Sequence, residues 1–176
     1  MGNKLSLSDK YTLDTNALIT PYRSYYSFER APRFWSELMS AMERGDILLI
    51  DRVYQELVRT DDALSNWIKQ SEELTVIGTK AQDILEKYSE VLNYVQTNNC
   101  YNDKALREWS DAGVADPWLV AVASVQGLVV VSFETPNAGL NPTNPSSSPK
   151  IPDACRYFSV DTVDLFTMMD DLGIKP

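Results

Sequence analysis

The chain has 176 residues, of which 44% are hydrophobic and 23% charged, and its formal net charge is −9. This size and composition predict one globular domain over residues 10–176, preceded by a flexible polar tail over residues 1–9. The absence of histidine excludes Ser-His-Asp and Cys-His catalysis and His-ligated zinc. The negative charge argues against a broad basic surface for nucleic acid, so any active site must rely on carboxylates.

Cysteine content and hydropathy indicate the cellular compartment. The two cysteines, Cys100 and Cys155, have neither the spacing of a metal site nor that of a disulfide framework. No apolar stretch of the sequence is long enough for a signal peptide or a membrane span. We therefore expect a reduced, cytoplasmic protein with no membrane partner.

Short apolar runs alternate with helical patterns along the chain. The runs predict strands at residues 11–13, 47–50, 74–77 and 128–131, and an edge strand at 157–160. Apolar residues with helical spacing predict helices at residues 32–45, 52–59, 64–70, 81–97, 104–109, 116–127 and 161–170. This alternation predicts an α/β fold with a central, mostly parallel sheet of four to five strands flanked by helices.

Two segments show no such periodicity. One is a predicted tyrosine-rich loop at residues 21–28, and the other, residues 135–150, is rich in Pro, Asn and Ser. Because the second is longer than most connections, we predict a mobile surface loop beside the site and a candidate contact for a partner protein. The tryptophans occur in helical patterns, which indicates core or interface positions rather than base-stacking platforms.

Acidic residues occur where strands end and helices begin. Asp14 directly follows the first predicted strand, and Glu134 follows the strand at 128–131. Ligands of open α/β sheets bind beyond the carboxyl ends of the strands, so these two acids share the ligand-binding edge. Asp116 opens the helix at 116–127 and Glu56 lies in the helix at 52–59, so we expect all four acids to converge.

Helix capping is a simpler explanation for some of these acids. Asp14, Asp51, Asp116 and Asp161 each precede a predicted helix, and an acid at that position stabilises a helix by about 1 kcal/mol. Ser or Thr would cap equally well, however, and two acids at the ligand-binding edge favour a functional role. Capping and function are compatible at these positions.

Convergence of several carboxylates would require a cation. Two unit charges about 4 Å apart interact by about 4 kcal/mol at an effective dielectric constant near 20. Hard divalent cations with oxygen ligands relieve such repulsion, and Mg²⁺ is commonly held by a few carboxylates, waters and substrate phosphates. The acids therefore predict a Mg²⁺ or Mn²⁺ site.

The acidic motifs resemble those of the PIN-domain superfamily, which includes the VapC-like toxin ribonucleases. The matching segments are Leu13–Asn16, Glu56 after a buried strand, Ala115–Leu119 and Ser132–Glu134. The aromatic segment at 25–28 and the block at 150–155 are most similar to a branch of uncharacterised bacterial PIN-like proteins. The resemblance covers nearly the whole chain and implies a three-layer α/β/α PIN-like fold.

The resemblance also implies an activity and a set of site residues. It implies a metal-dependent endoribonuclease, often the toxin of a toxin–antitoxin pair, in which Asp14, Glu56, Asp116 and Glu134 are the catalytic and metal-binding acids. Asn16 and Ser132 would support them. The fourth acid of the family is usually an aspartate after a threonine, whereas this chain has Glu134 after Ser132, so Asp153 is an alternative fourth ligand.

Other functions compete with the nuclease. An aspartyl-nucleophile phosphohydrolase typically needs a second acid two residues after the first, where this chain has Asn16, and the acids follow the wrong strands for a phosphoacceptor receiver domain. The main alternative is a catalytically weak PIN-like module that binds RNA or protein. Candidate partners are an RNA substrate, an antitoxin and a second copy of the chain. Candidate phosphate contacts are Arg23, Arg30, Arg33, Lys150 and Arg156.

Overall fold

The computed structural model describes residues 9–176, and in them five parallel strands form one sheet. The strands are β1 (Tyr11–Leu13), β2 (Ile47–Ile50), β3 (Val76–Ile77), β4 (Val129–Val131) and β5 (Thr162–Val163). Their order across the sheet is β3-β2-β1-β4-β5, and every neighbouring pair is parallel. The predicted tail over residues 1–9 lies, except for residue 9, outside the described residues.

Helices flank this sheet in an arrangement consistent with three α/β/α layers, which confirms the predicted fold class. They are α1 (Asn16–Ser24), α2 (Pro32–Glu43), α3 (Asp51–Val58), α4 (Ala63–Ile68), α5 (Gln82–Thr97), α6 (Asp103–Trp109), α7 (Asp116–Gln126), α8 (Ile151–Tyr157) and α9 (Leu165–Leu172). Within residues 9–176, no helix combines the length and the apolar character needed to cross a membrane.

The central strands and α7 form the core as their sequences predict. β1 lies between β2 and β4, and its three residues are buried on both faces of the sheet. Helix α7 has Pro117 in its first turn, where the missing N–H costs no hydrogen bond, and ends at Gly127, whose φ of +66° suits a residue without a side chain. The prediction of buried tryptophans is also confirmed, because all four are between 1% and 8% exposed.

The sequence prediction is wrong for the segment that follows the irregular loop. Residues 157–160 do not form a strand: α8 occupies 151–157, with Pro152 in its first turn, and Ser159 adopts a left-handed φ of +57°. The edge strand is β5, a few residues later, and its charged neighbour Asp161 is not a helix cap. Asp164 caps α9 instead, accepting a hydrogen bond from the Thr167 backbone N–H at 2.7 Å.

Two further predictions are wrong, one at the end of α1 and one at the start of α3. The segment predicted as a loop from residue 21 begins inside α1, because the chain buries Ala17, Leu18 and Pro21 on one face of that helix. Asp51 does not cap α3 but is its first residue. Its Oδ2 accepts hydrogen bonds from the Thr79 backbone N–H at 3.0 Å and from the Thr79 hydroxyl at 3.2 Å, which ties α3 to the chain after β3.

Replacing Asp51 with Ala is expected to lower the free energy of unfolding by about 1 to 3 kcal/mol. The physical reason is that Thr79, which is 1% exposed, would lose the charged acceptor for both its backbone N–H and its hydroxyl. Urea denaturation measures this change. The matched control is Asp46→Ala, which removes only a surface ion pair with Arg44 and should cost less than about 1 kcal/mol. Equal losses in both variants would contradict a structural role for Asp51.

Candidate functional site

The four predicted acids lie together at the carboxyl edge of the sheet. Asp14 directly follows β1, and Glu134 follows β4, the strand beside it. Glu56 lies in α3, after β2, and Asp116 is the first residue of α7. The charges of Asp14, Glu134 and Glu56 all act on the Asp116 carboxyl, so the structure brings the four side chains into one electrostatic cluster.

Asp14 is the deeply placed member of this acidic cluster, and it is only 4% exposed. The Ser132 hydroxyl donates to Asp14 Oδ2 at 3.1 Å, while the Glu134 backbone N–H donates to Ser132 Oγ at 3.1 Å. Asn16 supports Asp14 through its backbone N–H, and its own side chain is exposed. Burial raises the pKa of Asp14 to about 6, and the hydrogen bonds from Ser132 and Asn16 limit that rise.

Asp116 has no hydrogen-bond donor on its carboxylate among the described residues, although it is partly buried. Burial raises its pKa to about 7, and the charges of Asp14, Glu134 and Glu56 add to that rise. Neither Asp116 nor Asp14 caps a helix, because Ala115 and Thr15 occupy the cap positions and no side chain makes a capping bond there. Capping therefore does not explain these two acids.

Glu56 is held by a residue that sequence reasoning missed. The hydroxyl of Thr15, which is buried, donates to Glu56 Oε2. The signal for this contact is the position of Thr15 directly after Asp14, at the same sheet edge. On its other side Glu56 lines a cavity of about 50 Å³ together with Arg23 of α1. One of the predicted phosphate contacts, Arg23, therefore lies beside the acidic cluster.

Both carboxylate oxygens of Glu134 already have partners. The Lys150 ammonium contacts Oε1 at 2.8 Å, and the Ile151 backbone N–H, at the start of α8, donates to Oε2 at 2.8 Å. The hydrogen bond to Glu134 is the main reason that the pKa of Lys150 is raised. The same ammonium opposes the rise in the pKa of Asp116, so Lys150 acts as a counter-charge within the cluster.

Asp153, the alternative fourth acid, lies elsewhere. Its Oδ2 accepts a hydrogen bond from the Asn137 backbone N–H at 2.9 Å, and its charge acts on Tyr94 and Tyr101. The acid after β4 whose charge reaches both Asp14 and Asp116 is Glu134. The geometry therefore favours Glu134 over Asp153 as the fourth member of the cluster. The Asn137 contact also anchors the segment 135–150, whose mobility stays a prediction.

The remaining candidate phosphate contacts are not gathered at the cluster. Arg33 forms an ion pair with Glu37 along α2, and Arg156 lines a separate cavity with Pro136 and Pro152. Arg30 is exposed at the turn before α2. Of the five candidate phosphate contacts, two are close to the cluster: Lys150 pairs with Glu134, and Arg23 lines a cavity with Glu56.

The carboxylate oxygens of the cluster are the ligands that a hard divalent cation prefers. The side chains that carry them are too far apart at present to hold one. All the candidate ligand atoms are carboxylate oxygens, and Asp116 has a raised pKa that a cation would lower. Among residues 9–176, however, no three Asp, Glu, His or Cys side chains stand close enough together to hold a metal ion. Binding would require rotation of the partly exposed side chains, above all of Glu134 away from Lys150.

Replacing Lys150 with Gln is expected to tighten Mn²⁺ binding about tenfold. The reason is that the Lys150 ammonium occupies Glu134 and also repels the dication. Calorimetric titration with Mn²⁺ measures the dissociation constant. The control is Lys87→Gln, which breaks a comparable Lys–Glu pair along α5 and should leave Mn²⁺ affinity unchanged. Weaker Mn²⁺ binding by Lys150→Gln alone would show instead that Lys150 holds Glu134 in the orientation that binds the ion.

Fold and site together define a parallel α/β protein with an acidic cluster at the carboxyl edge of its sheet. Residues 11–175 match the model of a family described as a domain of unknown function, DUF4411, and the chain belongs to that family. A comparison with curated proteins found no match. The family description states no activity, so the nuclease and the PIN-domain resemblance stay predictions.

Proposed function

We propose that this protein is a Mg²⁺- or Mn²⁺-dependent endoribonuclease that hydrolyses RNA phosphodiester bonds, with Asp14, Glu56, Asp116 and Glu134 as its site. The observation that carries the proposal is Asp116. It is a partly buried carboxylate with no hydrogen-bond donor among the described residues, and burial, together with the negative charges of its three neighbours, raises its pKa. Such an arrangement lowers the stability of the metal-free fold, and a bound cation would offset that loss by favouring the ionised carboxylates.

The other residues of the cluster hold their positions through fixed hydrogen bonds. Ser132 orients the Asp14 carboxylate, and Thr15 orients that of Glu56. Because these donors sit at the ends of β4 and β1, the rigid sheet sets where the two carboxylates point. Asp116 and Glu134 would complete the ligand set once Glu134 leaves Lys150.

A bound Mg²⁺ or Mn²⁺ ion would supply Lewis-acid stabilisation of phosphate charge and lower the pKa of an attacking water. The residues of this chain would bind the cation, orient the carboxylates and neutralise the charge of the RNA phosphates. Lys150 pairs with Glu134 and Arg23 lines a cavity with Glu56, and both cations would contact the phosphates of a bound RNA. A strand held between these cations would present a phosphodiester to the acidic cluster.

The experiment that tests the proposal is incubation of the purified protein with a panel of unstructured and hairpin RNAs, with Mn²⁺, with Mg²⁺ and with EDTA. Cleavage in the presence of either metal and none with EDTA is the expected result. The same RNAs with 2′-deoxyribose distinguish an RNA-specific enzyme from a general phosphodiesterase. Intact RNA across the panel at saturating Mn²⁺ would reject the proposal.

A second candidate function is a PIN-like module that binds RNA or protein with a weakened metal site. The occupation of Glu134 by Lys150 and Ile151 favours it, as does the lack of three closely spaced metal-binding side chains among the described residues. RNA binding without cleavage, together with no effect of Mn²⁺ on the melting temperature, would support this function over the nuclease.

The expected antitoxin and homodimer follow from the resemblance, whereas the expected cytoplasmic location follows from the cysteine content and the hydropathy of the sequence. An antitoxin encoded beside the gene, a homodimer and a cytoplasmic location are all part of the proposal. Toxicity on expression that a neighbouring gene relieves would support the toxin role. Analytical sedimentation at working concentration tests the homodimer, and a monomer at that concentration would contradict it.

A further inference from the structure

Arg52 lies beside the acidic cluster and is not one of the candidate phosphate contacts that the sequence suggested. It occupies the first turn of α3, directly after β2 ends, at the edge of the sheet that carries the acids. Arg52 and Glu56 are four residues apart on one helix, so they project from the same face of α3. Arg52 therefore stands about one helical turn from a member of the cluster.

The guanidinium of Arg52 is held against the helix that carries Asp116. It lies over the ring of Trp118, 4.8 Å from the centroid, and Trp118 follows Asp116 by two residues. The Trp118 ring stacks on Tyr88 of α5, with 3.6 Å between centroids and 10° between planes. A stacked aromatic pair thus holds the guanidinium of Arg52 at one place beside α7.

Arg52 has spare capacity to bind an anion. Its Nε donates to Thr79 Oγ1 at 3.3 Å and its Nη1 to the Ala112 carbonyl at 3.4 Å, both long bonds to neutral acceptors. Arg52 takes part in none of the ion pairs within residues 9–176, although the chain has 25 Asp and Glu residues that could pair with it. A guanidinium has five N–H donors, so several remain for a ligand.

We propose that Arg52 is a positioning residue that binds a backbone phosphate of single-stranded RNA next to the phosphodiester at the acidic cluster. This inference rests on the proposed function and names how the substrate is held. A planar guanidinium fixed on an aromatic ring binds phosphate through two parallel hydrogen bonds, which a flexible lysine does not. Arg23, which lines a cavity with Glu56, and Arg52, one helical turn before Glu56, are then two cations near the acidic cluster.

The test measures binding rather than cleavage. All variants carry Asp116→Asn, so that the RNA stays intact, and a fluorescent single-stranded RNA is titrated in Mn²⁺ at several salt concentrations. Adding Arg52→Gln is expected to weaken binding about tenfold and to reduce the slope of log K against log salt by about 0.7, the value for one phosphate contact on a single strand. Adding Arg52→Lys should keep the slope but weaken binding about threefold, because it loses the bidentate geometry.

The matched control is Arg44→Gln, which removes the same charge just before β2, at the opposite edge of the sheet, and should leave RNA binding unchanged. Thermal unfolding and Mn²⁺ titration of each variant separate lost phosphate contact from lost fold or lost metal. Should Arg52→Gln unfold, Arg52→Lys decides: weaker binding at an unchanged melting temperature supports the proposal, and parental binding overturns it.

The outcomes for Arg52 and for the nuclease are distinguishable. If the Arg52→Gln protein binds RNA with parental affinity and slope, Arg52 only braces α3 against Trp118, and the nuclease is judged separately from cleavage by the wild type. If the parent binds no RNA, the role of Arg52 is overturned. If the wild type also leaves RNA intact at saturating Mn²⁺, both the role of Arg52 and the proposed nuclease function are overturned.

Discussion

Replacing Asp116 with Asn is expected to reduce metal-dependent RNA cleavage by about 10³-fold or more while the protein stays folded. The substitution keeps the size of the side chain and removes the charge that the three neighbouring acids repel. It also removes an anionic ligand, so the affinity for Mn²⁺ should fall in parallel. Initial rates of cleavage at saturating RNA, with Mn²⁺ varied, measure both effects.

Stability provides an independent check on the same variant. Without metal, at about pH 8, Asp116→Asn should have a higher free energy of unfolding than the wild type, because a partly buried charge is gone. The matched control is Asp83→Asn, an acid in the first turn of α5 that lies outside the cluster. The control should cleave like the wild type. Equal cleavage by wild type and Asp116→Asn would point to a contaminating nuclease and remove Asp116 from the site.

The parts of the fold that the sequence predicts are those with a strong local signal. The apolar runs of β2 and β4 and the Asp-Pro start and glycine end of α7 depend on neighbouring residues only. Helix α8 was missed because its first turn contains Pro152 and follows a long irregular segment, so no apolar period marks it. The edge strand was misplaced because a two-residue strand carries almost no pattern of its own.

For the site too, the sequence predicts what depends on neighbouring residues and misses contacts between residues far apart in the chain. Convergence of Asp14 and Glu134 could be predicted, because parallel neighbouring strands must end at one edge. The contacts of Thr15 with Glu56 and of Lys150 with Glu134 join residues that are 41 and 16 positions apart, and only the packed chain decides their rotamers. Arg52 was missed although its spacing from Glu56 is a usable signal, because a helical arginine is most often solvated.

The stability of the metal-free protein is expected to fall as the pH rises from about 5 to about 8, by a few kcal/mol. Burial is the main reason that the pKa of Asp14 is raised to about 6 and that of Asp116 to about 7, both from 3.8. A carboxyl with a raised pKa keeps its proton in the folded state after the unfolded chain has lost it. The folded state then binds more protons, so its stability decreases with pH until both groups are ionised.

Saturating Mn²⁺ should reverse this dependence, because a dication favours the ionised carboxylates that repulsion disfavours. The increase in melting temperature on adding Mn²⁺ should therefore be small at about pH 5 and large at about pH 8. Asp116→Asn should flatten both curves, since it removes the group with the higher pKa of the two. A Mn²⁺ effect that is equal at both pH values and persists in Asp116→Asn would place the ion away from this cluster, and the carboxylates would then need another explanation for their convergence.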